Sequence, residues 1–292
     1  MESNKKPLGA FLVVSGAAIW GTSGTAQALG PAEALPITVA ALRMVLSGFL
    51  LLFIAILRRS ISFKTTWPFI PVIVSVLGMA LFQPFFFSGV RLAGVAVGTI
   101  VIMGSAPVIS GILSYFCLGE IPGRVWYVST IFAVIGCTLL VISDEVETTA
   151  EPLGVLFSLI AGLSFSIYIL GSKSLLRYQP PVAINAVIFT GSAILLFPII
   201  FLYPTDWFFQ VSGILTILYL GVFSTVLAYL LFSFGLSMVP ASTSVTLTLA
   251  EPLTAVLLGF FLLGEKITQV NFIGILLLFF SLTLLSVKGK KE

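Results

Sequence analysis

The 292-residue chain contains no histidine, only two cysteines, and charged residues at just 9% of its positions. Without histidine there is no imidazole base, proton relay or metal ligand. Cys117 and Cys137 are too few for a metal cluster or a disulfide framework. A soluble domain carries roughly 25% charged residues, so this chain has too little polar surface to cover a water-soluble globule. It has no Gly-Lys-Ser/Thr phosphate-binding loop and no nucleophile with a histidine base. No catalytic residue, metal site or cofactor is expected. The net charge of +3 makes no case for a nucleic-acid partner.

What is present is apolar sequence: 59% of residues are hydrophobic, and the mean hydropathy is +1.18. Crossing the hydrocarbon core takes about 20 apolar residues, so ten spans use about 200 and leave only loops and tails. Ten segments stand out, at about 8–29, 35–57, 67–90, 95–117, 124–143, 152–175, 181–203, 211–235, 240–263 and 268–287. Turn residues divide them, among them Gly30-Pro31, Gly94, Gly119 to Pro122 and Pro180-Pro181. The runs are too long and continuous for transmembrane β-strands. Two lysines before the first run resemble a signal peptide, but no A-x-A-like site follows, so that run is read as a retained first helix. The fold class is all-α and integral to the membrane, with ten transmembrane helices.

Charge sets the expected orientation. With the N-terminus in the cytoplasm, 11 of the 14 basic residues fall inside, and only Arg91 and Lys266 fall outside. Arg43 remains within a span. This positive-inside bias predicts a multi-pass protein of the cell membrane with both termini cytoplasmic.

The halves also match each other. An ungapped offset of 145 residues brings Gly9 onto Gly154, Pro36 onto Pro181 and Pro107 onto Pro252. It also brings Leu118-Gly119-Glu120 onto Leu263-Gly264-Glu265. Between 86 and 141, about 13 of 56 positions are identical at this offset. Each half, 1–145 and 146–292, holds five spans, an odd number, so the second repeat must be inserted upside down relative to the first. Inverted five-helix repeats of this kind recur in secondary transporters.

Polar residues at membrane depth point to the site. Glu251 lies near the middle of the ninth span and shares a helical face with Ser244 and Thr248. An acid or arginine at a helix centre costs about 2.5–3.5 kcal/mol on insertion scales. The offset carries Ser244 and Thr248 back to Thr99 and Met103 on the fourth span. Pro107 and Pro252 lack an N–H, which frees the carbonyls of Met103 and Thr248 for a side chain, water or ligand. Glu251 and Pro252 either kink and lock the bundle or contact substrate or coupling ion. Arg43 pins helices or snorkels outward; the alternative is an anion site or a charge partner for Glu251. Trp20, Gln27, Gln83, Tyr168 and Tyr229 are further lining candidates, with Ser166 and Ser233 beside them. Gly21 and Gly24 suit close helix packing. The phenylalanine runs at 85–87, 208–209, 260–261 and 279–280 are read as lipid-facing or core. Gly119-Glu120 and Gly264-Glu265 are read as a helix end followed by the start of the next helix.

These stretches resemble the EamA family of the drug/metabolite transporter superfamily over essentially the whole chain. The resemblance rests on Ile19 to Gly24, Ala41-Leu42-Arg43, Ala106-Pro107 through Leu118-Gly119-Glu120, and Ala250-Glu251-Pro252-Leu253 through Leu263-Gly264-Glu265. It implies two inverted five-helix repeats and a central cavity from helices 1, 3, 4, 6, 8 and 9. It also implies alternating access, and an exporter of amino acids or other small metabolites. The expected partners are a small-molecule substrate, the lipid bilayer and a coupling proton carried by Glu251, with the chain a monomer or weak dimer. A membrane-embedded lipid-modifying enzyme and a passive channel or flippase are the alternatives.

Overall fold

A computed structural model describes residues 5–62, 65–142, 151–263 and 268–288. Among these residues, ten helices are long and apolar enough to cross a membrane. They are α1 (Lys6–Ala28), α2 (Pro36–Leu57), α3 (Phe69–Ala93), α4 (Val97–Leu118), α5 (Arg124–Val141), α6 (Pro152–Leu175), α7 (Pro181–Leu202), α8 (Val211–Leu236), α9 (Ala241–Leu262) and α10 (Gln269–Ser286). The all-α reading with ten spans holds. Gly264 and Glu265 lie outside the described residues, as do Asp144 and Lys266.

Local sequence accounts for most helix ends. Pro36, Pro152 and Pro181 begin α2, α6 and α7, where a missing N–H costs nothing and φ is already helical. Gly119 closes α4 with φ 67°, a left-handed backbone that suits glycine. The last turn of α4, Ser114–Leu118, is widened into a π-helix, as is Tyr219–Leu227 within α8. The α9 helix is broken: Ala241–Leu247 and Ala250–Leu263 are helical, with a turn at Thr248 and Leu249 between them. Pro252 cannot donate to the Thr248 carbonyl, and the Glu251 N–H takes its place at 2.9 Å, tightening the chain there.

Large apolar side chains such as Phe11, Phe49, Phe116, Phe261 and Phe279 point outward, where lipid replaces water. Inside, the helices meet through small residues and hydroxyls. The main packed pairs are α1 with α8 and α9, α6 with α3 and α4, α2 with α7, and α5 with α10. Shifted by 145 residues, α1·α8 becomes α6·α3 and α1·α9 becomes α6·α4; the other two pairs map onto themselves. Individual contacts follow the same rule. Gly9 meets Met238, just past the end of α8, and Gly154 meets Ala93 at the end of α3. Gly21 presses on the backbone carbonyl of Glu251, while Ser166 donates to the carbonyl of Ala106 at 3.1 Å. Cross-helix hydrogen bonds from Asn271 to the Leu140 carbonyl, 3.2 Å, and from Ser281 to the Ser129 carbonyl, 2.6 Å, fasten α10 to α5.

Successive spans run in opposite directions, so the described bases Lys6, Arg58, Arg59, Arg124, Lys173 and Arg177 gather at one end of the bundle. That basic end holds the start of α1 and the end of α10. Arg91 is at the opposite end.

Candidate functional site

A cavity of about 440 Å³ occupies the middle of the bundle, within the range of small-molecule sites. It runs from Val245 and Tyr229 to the end marked by Gln27, Thr99 and Val141, opposite the basic end.

Its floor is aromatic. The Trp20 ring from α1 lies 4.5 Å from that of Tyr229 on α8 and meets Phe165 of α6 edge-on at 6.3 Å. Phe189 and Phe232 support these rings from behind. Asn185, the one amide in the α7 sequence, donates to the Tyr229 carbonyl at 3.3 Å and accepts from the Ser233 hydroxyl at 3.1 Å. An apolar residue at 185 would leave that carbonyl and hydroxyl without these partners.

Two charges face this space. Arg43 of α2 donates through Nη2 to Gln83 Oε1 of α3 at 3.0 Å. Among the described residues its Nε is buried with no hydrogen-bond partner, as is the indole Nε1 of Trp20. Each such donor costs about 1–3 kcal/mol while unmet. Glu251 stands at the first turn after the α9 break. Among the described residues no side-chain hydrogen bond holds its carboxylate, and none joins it to Arg43, although the two are near enough for their charges to interact. The break orients Glu251 into the cavity and leaves Thr248 beside it, with its hydroxyl turned to the Val245 carbonyl at 2.7 Å.

Seven of the eight expected lining residues meet at this cavity: Trp20, Gln27, Gln83, Met103, Tyr229, Thr248 and Glu251. Tyr168 does not. It is fully buried behind Tyr229, 6.0 Å away ring to ring. Ser166, Ser233 and Ser244 are buried as well and turn their hydroxyls to Ala106 and Gly162, Asn185 and Pro240. Pro107, Pro252 and Arg43, taken as structural positions, all reach the cavity wall, while Gly119 and Glu120 lie at the basic end.

The reading of the run 85–87 as lipid-facing or core is corrected for Phe86 and Phe87, which line the cavity, as do Phe82 and Phe165, to which the sequence drew no attention. Two signals would have found Phe86, Phe87 and Phe165. Phe86 and Phe87 share the helical face of Gln83, at three and four residues' distance, and Phe165 is Trp20 plus 145. Phe260 and Phe279 face outward.

The profile of the EamA-like transporter family matches residues 7–142 and again 152–287. The chain is 41% identical over 283 residues to an uncharacterized transporter, YwfM, of Bacillus subtilis (strain 168), covering 97% of this chain and 95% of that one. It is 26% identical to protein PecM of Dickeya dadantii (strain 3937), over 90% of this chain and 87% of that one. A solved crystal structure shares the fold, with a TM-score of 0.81 at 20% identity, covering 94% and 95% of the two chains.

Proposed function

Because the chain belongs to the EamA-like transporter family, we propose that it is a secondary active transporter that exports amino acids or other small metabolites by alternating access. Membership and the ten spans make it a multi-pass membrane transporter; substrate, direction and cycle are the proposal.

The observation that carries it is an arginine and a carboxylate in one cavity, neither bonded to the other. An amino acid offers the complementary pair, an ammonium and a carboxylate on one carbon. Glu251 takes the ammonium. Arg43, whose Nε lacks a partner, takes the carboxylate through charge-assisted hydrogen bonds. Trp20, Tyr229 and Phe165 receive the side chain, and their ring faces also attract a cation. Glu251 is equally placed to carry the coupling proton when the substrate has left.

Alternating access draws support from the repeat. The family profile matches twice in tandem, the major helix pairs exchange under the 145-residue offset, and five spans per half require the halves to be inverted. Residues 1–145 and 146–292 are read as these repeats, related by an axis in the membrane plane. The basic end is placed in the cytoplasm, with both termini, so the cavity opens outward. A lipid-modifying enzyme would need reactive groups clustered at an interface, whereas Glu251 and Arg43 are deep among aromatic rings. A passive channel needs a continuous path, whereas the central cavity and the smaller one at the basic end are separate.

Comparing metabolites released by cells with and without the protein identifies the substrate. Counterflow in proteoliposomes then tests the cycle: internal unlabelled substrate should accelerate uptake of labelled substrate. Equal metabolite profiles together with absent counterflow would refute the proposal.

A further inference from the structure

The turn between α8 and α9, at the basic end, contains a proline whose missing N–H has consequences. Helix α8 ends at Leu236, and Pro240, four residues on, has no N–H to offer the Leu236 carbonyl. Lys173, at the end of α6, fills the gap: its Nζ donates to the carbonyls of both Leu236 and Val239 at 2.7 Å. On the other side of the turn, Ala241 begins α9 with a free N–H. Glu120, just past the end of α4, accepts that N–H through Oε2 at 2.8 Å. Lys173 and Glu120 are near enough for their charges to interact. One turn is thus held by two oppositely charged side chains, one from α6 and one from the loop after α4.

The segment so held is also the wall between two spaces. A second cavity, of about 130 Å³, is lined by Glu120, Trp126, Ser242 and Thr243 at the basic end. Val245 lines the central cavity. Thr243 and Val245 are two residues apart, about 3 Å along a helix axis. The rod Ala241–Leu247 ends at the Thr248–Leu249 turn, where α9 is broken, so it has a hinge at one end and the two charged contacts at the other. The offset of 145 places Ala28 opposite Lys173 and Val95 opposite Pro240. Among the described residues, the offset-equivalent positions therefore lack the lysine, the proline and the broken helix, since the chain is helical without interruption from Val95 to Leu113.

We propose that Lys173 and Glu120 are the gate residues of the basic end, latching Ala241–Leu247 shut while the central cavity is open at the other end. Their release swings that segment about Thr248–Leu249 and joins the two cavities. The proposal rests on the alternating-access reading, but its test needs no substrate. A missing gate and a missing transport activity are therefore told apart.

Single cysteines are placed at Thr243 and at Gln27 in a background with Cys117→Ser and Cys137→Ala. Each is titrated with a membrane-impermeant thiol reagent from the basic side and from the opposite side. With the latch intact, position 27 reacts readily from the open side, and position 243, half-buried in the narrow second cavity, reacts slowly. Lys173→Met should raise the labelling rate at 243 about ten-fold or more and lower that at 27, and Lys173→Arg should restore both. If Lys173→Met fails to accumulate, Glu120→Ala is read in the same way. Unchanged rates at matched abundance overturn the proposal. So does a rise at both positions, which marks a loosened bundle, and so does loss of the protein in both variants, which assigns the contacts to folding alone.

Discussion

Replacing Glu251 by glutamine separates charge from shape. The side chain keeps its length and hydrogen-bonding capacity, and the backbone contact of residue 251 with Thr248, 2.9 Å, is untouched. What is lost is the negative charge opposite Arg43 in a cavity walled by Trp20, Tyr229 and Phe165. A hydrogen bond to a charged partner is worth about 1.5–3 kcal/mol net, so binding of a substrate ammonium should weaken about 10- to 150-fold. Export or counterflow by Glu251→Gln is compared with wild type at two pH values and matched membrane abundance. Normal abundance with transport lost, or with its pH response flattened, is expected. Wild-type rates at both pH values would refute the functional role and leave Glu251 as a residue that only locks the kink.

Gly21→Leu should destabilise the protein by about 1–3 kcal/mol, because the new side chain meets the Glu251 carbonyl and Thr254 on α9; thermal unfolding in detergent measures it, and an unchanged Tm contradicts the contact. Asn185→Leu should reduce apparent substrate affinity by freeing Tyr229 from behind, whereas Thr190→Val, which loses one part-buried bond to the Gly48 carbonyl away from the cavity, should leave affinity near wild type. Binding measured by intrinsic tryptophan fluorescence distinguishes the two. Reporter fusions should place both termini and the Arg58-Arg59 turn in the cytoplasm; a periplasmic or external signal from any of them reverses the assigned orientation.

Burial cost explains which parts of the site were readable in the sequence. Gln83, Thr248 and Glu251 stood out because polarity inside a span is expensive, and they do meet at the cavity. Phenylalanine sends no such signal, since its hydropathy is the same toward lipid, core or cavity. Phe86 and Phe261 differ only in the face each occupies, and that face is set by tertiary packing. Tyr168 shows the converse limit: its hydroxyl suggested a wet face, yet the ring is buried against Tyr229. The proline at 252 announced a disturbance in α9, but the break falls at Thr248 and Leu249, because a missing N–H is felt one turn earlier. The π-helical stretch Tyr219–Leu227 left no mark that a sequence pattern exposes.

The way the helices pair has a consequence for biogenesis. The principal partners of α1, α2, α3 and α5 all belong to the second half of the chain. During synthesis the first five helices therefore enter the bilayer before the surfaces they fit exist, and their small-residue faces, such as Gly9, Gly16 and Gly78, are covered only by lipid until α6 to α8 emerge. The polypeptide can finish folding only when nearly all of it has been inserted. Residues 1–145 expressed alone should be short-lived in the membrane, and co-expression of 146–292 from a second message should rescue them, because the interface that stabilises each fragment lies on the other.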